Sequence, residues 1–170
     1  MTLPRLIARR RALHSACAMA AAYLGGAALA SASPTSGATV KWPLVQLLDG
    51  GQFGPAQAQG KHVIVVFWAT FCPFCLRHNA HIEKLRQAVV GRPIEILTVA
   101  QDRQAQAVRD YMQKNRYGFA VTLDHTAMAA ALSARKVIPL TYVVGPNSRV
   151  AHTIPGEMFE EDVMEWRTLG

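Results

Sequence analysis

The stretch of sequence that decides the fold reads Val63-Ile64-Val65-Val66-Phe67-Trp68-Ala69-Thr70-Phe71-Cys72-Pro73-Phe74-Cys75. Its first part, residues 63–68, is entirely β-branched or aromatic, which is typical of a strand buried on both faces of a sheet. After the cysteines, apolar residues recur at helical spacing from Leu76 to Val89, until Gly91-Arg92-Pro93 ends the pattern. The stretch therefore predicts a central strand that passes into a helix, with Cys72 at the helix N-terminus.

The pair Cys72 and Cys75 has the spacing of a redox-active dithiol. Free backbone N–H groups and the positive end of the helix dipole favour a thiolate at Cys72. Cys75 lies almost one helical turn further on, close enough to attack a mixed disulfide formed on Cys72. Pro73 suits the first helical position because it has no N–H to leave unpaired. A purely structural disulfide is the weaker explanation, because so short a loop stabilises little.

The remainder of the chain alternates strands with helices. We predict strands at residues 44–48, 94–100, 120–123, 140–144 and 149–154, and helices at residues 104–116, 126–134 and 159–167. Gly145-Pro146-Asn147-Ser148 predicts a β-hairpin between the last two strands. The fold class is therefore α/β, with a central mixed β-sheet flanked by helices and an N-terminal strand or hairpin extension that ends at the turn residues 49–51.

The first 32 residues have the layout of a secretory signal peptide. Four arginines precede an uncharged, alanine-rich run over residues 16–30, which ends in Ala30-Ser31-Ala32. A membrane span needs about 20 strongly apolar residues, so we prefer cleavage after Ala32, with an uncleaved anchor as the alternative. Residues 33–41, rich in Ser, Thr and Gly, predict a flexible tail, and residues 42–170 form a single domain.

The charge balance argues against a nucleic-acid partner. Removing residues 1–32 leaves 14 basic and 11 acidic residues, so the formal net charge falls from +7 to +3. We find no stripe of lysines and arginines interleaved with aromatic residues, and we expect no nucleic-acid binding. The predicted mature chain keeps Cys72 and Cys75 alone among its cysteines, in a compartment where disulfides persist.

Residues 67–75 resemble the active-site signature of the thioredoxin superfamily, and in particular its exported TlpA/ResA/DsbE-like thiol-disulfide oxidoreductases. The resemblance extends through residues 94–100 and through residues 138–144, which are similar to the family's cis-proline segment. It ends at Pro155-Gly156-Glu157, which is similar to the turn before the last helix. It implies a thioredoxin-like fold over residues 42–170, and an enzyme with no cofactor other than its redox-active Cys72–Cys75 disulfide.

The resemblance also implies roles for the residues around the dithiol. Pro139 would follow a cis peptide bond beside the sulfurs, and Ile138 would line the substrate groove. Trp68 and Phe71 would form apolar rims around the sulfurs, unless they are core residues. Pro73 and Phe74, which separate the cysteines, would complete the active-site environment.

Four positions depart from the family pattern. Val66 replaces the buried aspartate of cytosolic thioredoxins, and His78 replaces a glutamate that is usual in the ResA-like branch. Ala80 replaces a usual proline, and Phe74 a usual proline or histidine. We expect the His78 imidazole, three residues beyond Cys75, to approach the Cys75 sulfur and tune the dithiol; the alternative is a solvent-exposed histidine without a role.

Cys72, Cys75, His78 and His81 also have a spacing that resembles a zinc site. On a helix, steps of three residues rotate by about 300°, so Cys75 and His81 diverge by about 120° and do not converge on one ion. We therefore expect no metal site.

Together with this resemblance, the sequence predicts a monomeric, periplasmic protein-disulfide reductase. The resemblance implies that its partners are exported proteins with disulfides, such as cytochrome c apoprotein or a copper-site protein, and a membrane donor of thiol electrons. A Dsb-type thiol oxidase or isomerase and a metallochaperone-like binding module are the alternatives. The client, the electron donor, the redox potential, and the choice between Sec and twin-arginine export stay open.

Overall fold

The structure is a computed structural model that describes residues 37–170. The predicted signal peptide over residues 1–32, its alternative as an uncleaved anchor, and residues 33–36 of the predicted tail lie outside the described residues. Within residues 37–170, every helix is too short or too polar to cross a bilayer.

The described chain forms two sheets with helices packed around them. The strands are β1 (Val45–Gln46), β2 (Gln52–Phe53), β3 (His62–Trp68), β4 (Ile94–Ala100), β5 (Ala120–Thr122), β6 (Leu140–Val144) and β7 (Val150–Pro155). The helices are α1 (Pro55–Ala58), α2 (Pro73–Ala88), α3 (Ala105–Asn115), α4 (His125–Leu132) and α5 (Glu160–Glu165), which continues into a 3₁₀ turn at Trp166–Thr168.

The main sheet is mixed, as predicted. Its strand order is β5-β4-β3-β6-β7, with β4 parallel to both β3 and β5, and β6 antiparallel to both β3 and β7. β1 and β2 pair separately as an antiparallel hairpin, which confirms the N-terminal extension. This arrangement leaves β3 in the middle of the sheet, with its C-terminal end leading into α2.

Side chains of β3 point alternately into two apolar cores, one on each face of the sheet. Ile64, Val66 and Trp68 pack in the core that includes both cysteines and residues of α2 and α5. Val63, Val65 and Phe67 pack in the opposite core, with α4 and the β1–β2 hairpin. Burial on both faces explains the continuous apolar run in the sequence.

Residues 37–41 do not form part of a flexible tail. The Gly37 N–H donates to the Val150 carbonyl and the Val40 N–H to the Ser148 carbonyl, each at 2.7 Å, and the Val40 side chain is buried. The prediction was wrong because this segment is held mainly by backbone hydrogen bonds to the β6–β7 hairpin. Such bonds leave no pattern in side-chain composition.

Leu76 begins the apolar pattern predicted for α2 but does not lie on the buried face of the helix. It is 44% exposed, whereas Cys75, Ile82 and Leu85 are fully buried. Cys75 takes the inward position in the first turn, and the next residue is rotated by about 100° from it. The apolar side chain of Leu76 therefore faces solvent next to the dithiol.

Candidate active site

Cys72 and Cys75 meet where β3 passes into α2. Cys72 is the N-cap of the helix, Pro73 is its first residue, and the two cysteines form a disulfide with their Cα atoms 5.2 Å apart. The Cys75 N–H donates to the Cys72 Sγ at 3.2 Å. A donor N–H and the helix dipole both favour negative charge on Cys72 when the disulfide is reduced.

The two sulfurs differ in how far solvent reaches them. Cys72 is 8% exposed, while Cys75 is fully buried beneath it. A protein substrate therefore meets Cys72 first, and Cys75 is placed to react with the neighbouring sulfur.

The segment implied by the resemblance lies next to Cys72. The Ile138–Pro139 peptide bond is cis, and the Cys72 Sγ lies 4.0 Å from the Ile138 carbonyl oxygen. The Gly156 N–H donates to the Pro139 carbonyl at 2.8 Å, so the turn before the last helix packs against this segment. Gly156 has a φ of +93°, a conformation that favours glycine.

Of the aromatic residues expected around the sulfurs, Phe71 and Phe74 lie at the surface and Trp68 does not. Phe71 is 76% exposed and Phe74 is 55% exposed; we call this pair the aromatic rim. Trp68 is fully buried, with its ring centroid 4.9 Å from that of Tyr111, so it is a core residue and not a rim. A groove of about 430 Å³ opens beside Phe71, lined by residues 101–104.

Asp102 is a site residue that the sequence analysis missed. Its carboxylate accepts hydrogen bonds from the Thr70 N–H at 3.0 Å and from the Thr70 hydroxyl at 2.5 Å. Trp68 and Ala100 are register partners at the ends of the parallel strands β3 and β4, so the residues two positions later also face each other. An acidic residue just after β4 was the available signal, because the carboxyl ends of parallel strands share one edge of the sheet.

His78 is fully buried, which excludes the solvent-exposed alternative. Its Nδ1 accepts a hydrogen bond from the Met158 N–H at 3.3 Å, so the proton sits on Nε2, which donates to the Thr141 hydroxyl at 3.0 Å. Burial, together with the nearby His81, lowers the pKa of His78 to about 4, while Glu157 opposes this shift. The imidazole is therefore neutral near pH 7, with both nitrogens engaged.

The length of chain that matches a known protein family shows which family the chain belongs to. Residues 39–153, well over half of the chain, match the AhpC/TSA family. The chain belongs to the AhpC/TSA family. The predicted membership of the thioredoxin superfamily is confirmed.

Known relatives of this AhpC/TSA-family chain include thiol-disulfide oxidoreductases. The thiol-disulfide oxidoreductase ResA of Halalkalibacterium halodurans is 25% identical over 122 residues, which cover 72% of this chain and 69% of the relative. A thiol:disulfide interchange protein of Chlorobium tepidum TLS superposes with a TM-score of 0.70 at 20% identity, covering 79% of this chain and 99% of that one.

A third comparison is with a secreted disulfide oxidoreductase of Mycobacterium tuberculosis, described as homologous to DsbE of E. coli. It superposes with a TM-score of 0.63 at 17% identity, covering 74% of this chain and 93% of the other. These superpositions confirm the thioredoxin-like fold.

The site of this AhpC/TSA-family chain is built for disulfide exchange. An accessible sulfur caps a helix N-terminus, and a second, buried sulfur lies at disulfide distance from it. These features, with the relatives, identify the chain as a thiol-disulfide oxidoreductase.

The histidines of the zinc-like spacing have other contacts. The His81 Nδ1–H donates to the Met158 carbonyl at 3.1 Å, while His78 binds Thr141 and the Met158 N–H. Across the part of the chain that the structure describes, no three His, Cys, Asp or Glu side chains are grouped to hold a metal ion.

Proposed function

We propose that this chain is a periplasmic protein-disulfide reductase that transfers two electrons from its Cys72/Cys75 dithiol to disulfides of exported proteins. The observation that carries the proposal is the position of Cys72, the more accessible sulfur, beside the Ile138 carbonyl and between exposed aromatic side chains. It works as a monomer and needs no cofactor other than its own redox-active disulfide.

The reaction proceeds in two exchange steps. The Cys72 thiolate attacks one sulfur of the client disulfide, and the second client sulfur leaves as a thiolate that takes up a proton. Cys75 then attacks the Cys72 sulfur of this mixed disulfide, and the first client sulfur is released. The client disulfide gains two electrons, and the dithiol loses two as the Cys72–Cys75 disulfide forms.

The surroundings of Cys72 suit a polypeptide substrate. The aromatic rim offers apolar contact on the solvent side of the sulfur, and the groove beside Phe71 has room for a client side chain. Ile138 and Pro139 would contact the client main chain next to its cysteine. His78, which is buried three residues after Cys75, would adjust the pKa values of the two thiols.

The signal-like layout of residues 1–32 supports export, as does the likeness to a protein described as secreted. In an oxidising compartment, the dithiol needs a source of electrons, and a membrane protein that passes thiol electrons outward supplies them. Cytochrome c apoprotein and copper-site proteins, whose cysteines must be reduced before they bind haem or metal, are the clients we propose.

The reduction potential tests the direction of transfer. A reductase requires a value nearer that of thioredoxin, about −270 mV, than that of the oxidant DsbA, about −120 mV. The difference of about 150 mV corresponds to roughly 7 kcal/mol, which equilibration with glutathione resolves readily. A reduction potential above about −160 mV would indicate a Dsb-type oxidase and not a reductase.

A further inference from the structure

Asn79 is a buried polar side chain that has no role in the two exchange steps described above. It lies on α2, one helical turn beyond Cys75, and both residues are fully buried. Neither its Nδ2 nor its Oδ1 has a hydrogen-bond partner within residues 37–170. Because an unpaired buried amide destabilises a fold, its presence beside the dithiol requires an explanation.

Helix geometry directs the Asn79 amide toward Cys75. Residues four apart lie on the same face of a helix, and helical side chains lean toward the preceding turn. On the other side lies Tyr111 of α3: burial raises the pKa of the Tyr111 hydroxyl, and the neighbouring Asn79 amide lowers it. The Asn79 amide and the Tyr111 hydroxyl thus lie close enough to interact, but they do not reach hydrogen-bond geometry in the disulfide form. Asn79 therefore shares a buried helix face with Cys75 and has Tyr111 as a neighbour.

Other side chains around this turn cannot serve Cys75 in the same way. Val66 is apolar. His78 is engaged through both ring nitrogens, with Thr141 and with the Met158 N–H. The Trp68 indole has only a donor to offer. Asn79 brings both a donor and an acceptor to this face of α2.

We propose that Asn79 is the hydrogen-bond partner of the Cys75 sulfur in the reduced protein. The proposal rests on the dithiol chemistry proposed above. Reduction breaks the Cys72–Cys75 bond and adds two electrons, which leaves Cys75 as a thiolate or, with a proton, as a thiol. The Asn79 Nδ2–H donates to the thiolate, and its Oδ1 accepts from the thiol. The amide that is unpaired in the disulfide form is thus paired after reduction.

This contact acts on the step that releases the client. Cys75 gives up its proton and attacks the Cys72 sulfur of the mixed disulfide. The Cys72–Cys75 bond forms, the bond from Cys72 to the client breaks, and the departing client thiolate takes up a proton. A hydrogen bond from Asn79 lowers the pKa of the Cys75 thiol, and so increases the fraction that is ready to attack at neutral pH.

The test replaces Asn79 and uses Tyr142→Phe as the matched control. The Tyr142 hydroxyl is also buried without a partner in the described chain, but it lies in the core on the opposite face of the sheet. Asn79→Leu and Tyr142→Phe each remove an unpaired polar group, so we expect both proteins to fold at least as stably as the wild type. Asn79→Ala provides a second variant of smaller volume.

Two quantities are measured on purified protein: the Cys75 pKa, by NMR titration with ¹³C-labelled cysteine after chemical reduction, and the equilibrium constant with glutathione. We expect both Asn79 variants to raise the Cys75 pKa by about one unit. At a pH above the Cys75 pKa of all the proteins, where Cys75 is a thiolate, reduction of the disulfide becomes about tenfold less favourable, a potential about 30 mV more negative. Tyr142→Phe leaves both quantities at their wild-type values.

Wild-type values in both Asn79 variants would overturn the proposal, and so would equal changes in Tyr142→Phe, which would reveal a general effect of the core. The proposed reductase function is tested separately: a wild-type reduction potential above about −160 mV would contradict it. The differences between the variants and the wild type test Asn79 whatever that potential is.

Discussion

Asp102 holds Thr70 at two points, through the backbone N–H at 3.0 Å and the side-chain hydroxyl at 2.5 Å. Thr70 lies two residues before Cys72, in the short connection from β3 to α2. This pair therefore fixes the backbone that presents the reactive sulfur, although neither residue touches that sulfur in a hydrogen bond of the described chain.

Replacing Asp102 with Ala is expected to destabilise the protein by about 1–3 kcal/mol, because two donors of Thr70 lose a charged acceptor. The looser connection should also slow attack by Cys72 on a model disulfide. Urea unfolding and stopped-flow thiol exchange measure these two effects. Thr70→Ser, which keeps both donors, is the control and should match the wild type; if Asp102→Ala matches it as well, the pair has no positioning role.

The different exposure of the two sulfurs predicts different trapping. Cys75→Ser keeps the accessible Cys72 and removes the resolving sulfur, so it should accumulate mixed disulfides with client proteins. Cys72→Ser leaves only the fully buried Cys75 and should trap almost none. Non-reducing electrophoresis of periplasmic extracts shows the adducts. Equal trapping by the two variants would contradict the assigned roles.

His78 predicts a dependence of stability on acid. Because its pKa falls from 6.5 to about 4 on folding, the folded state binds fewer protons than the unfolded state between these values. Above pH 6.5, His78 is neutral in both states and the free energy of unfolding has its full value. As the pH falls through 6.5 to about 4, the free energy of unfolding decreases by about 3 kcal/mol, because the unfolded state takes up the proton first.

His78→Gln, which does not titrate, should lack this part of the pH dependence. Urea unfolding of both proteins over the same pH range measures it. His81 and Glu157 face the imidazole and stay unchanged in both proteins. Parallel pH profiles for the two proteins would show that His78 does not titrate with unfolding.

Charge at position 78 should change the reactivity of the thiols. The side chains of residues 75 and 78 lie on the same face of α2, and both are buried. His78→Glu places a carboxylate there and should raise the Cys75 pKa by charge repulsion, while His78→Ala should shift it by removing the imidazole. Cysteine titrations of the three proteins measure the effect. If the curves superimpose, His78 only anchors α2 to Thr141 and Met158.

The sequence predicted the fold correctly where the local structure depends on residues that are close together in the chain. The apolar run of β3, the dithiol at the start of α2 and the hairpin at residues 145–148 were all predictable from nearby residues. The cis bond before Pro139 was expected only through the family resemblance. Leu76 was misplaced, because the helical periodicity alone did not show that Cys75 takes the inward position.

Contacts between distant residues were beyond prediction. His78 binds Thr141 and Met158, which lie 63 and 80 residues further along the chain, so its burial has no local signal. The pairing of Thr70 with Asp102 depends on the register of β3 and β4. The order of residues 37–41 depends on the β6–β7 hairpin, whose backbone accepts their hydrogen bonds.

The central position of β3 in the sheet affects how the protein unfolds. Its backbone pairs with β4 on one side and β6 on the other, and its side chains are buried on both faces. Amide hydrogens of such a strand exchange with solvent only when the cooperative unit opens as a whole. Only residues 69–71 separate the dithiol from this strand, whereas many functional loops lie far from the core and open locally before the protein unfolds. During heating, the rate enhancement that the folded site gives to thiol exchange and the folded structure should therefore be lost in a single transition.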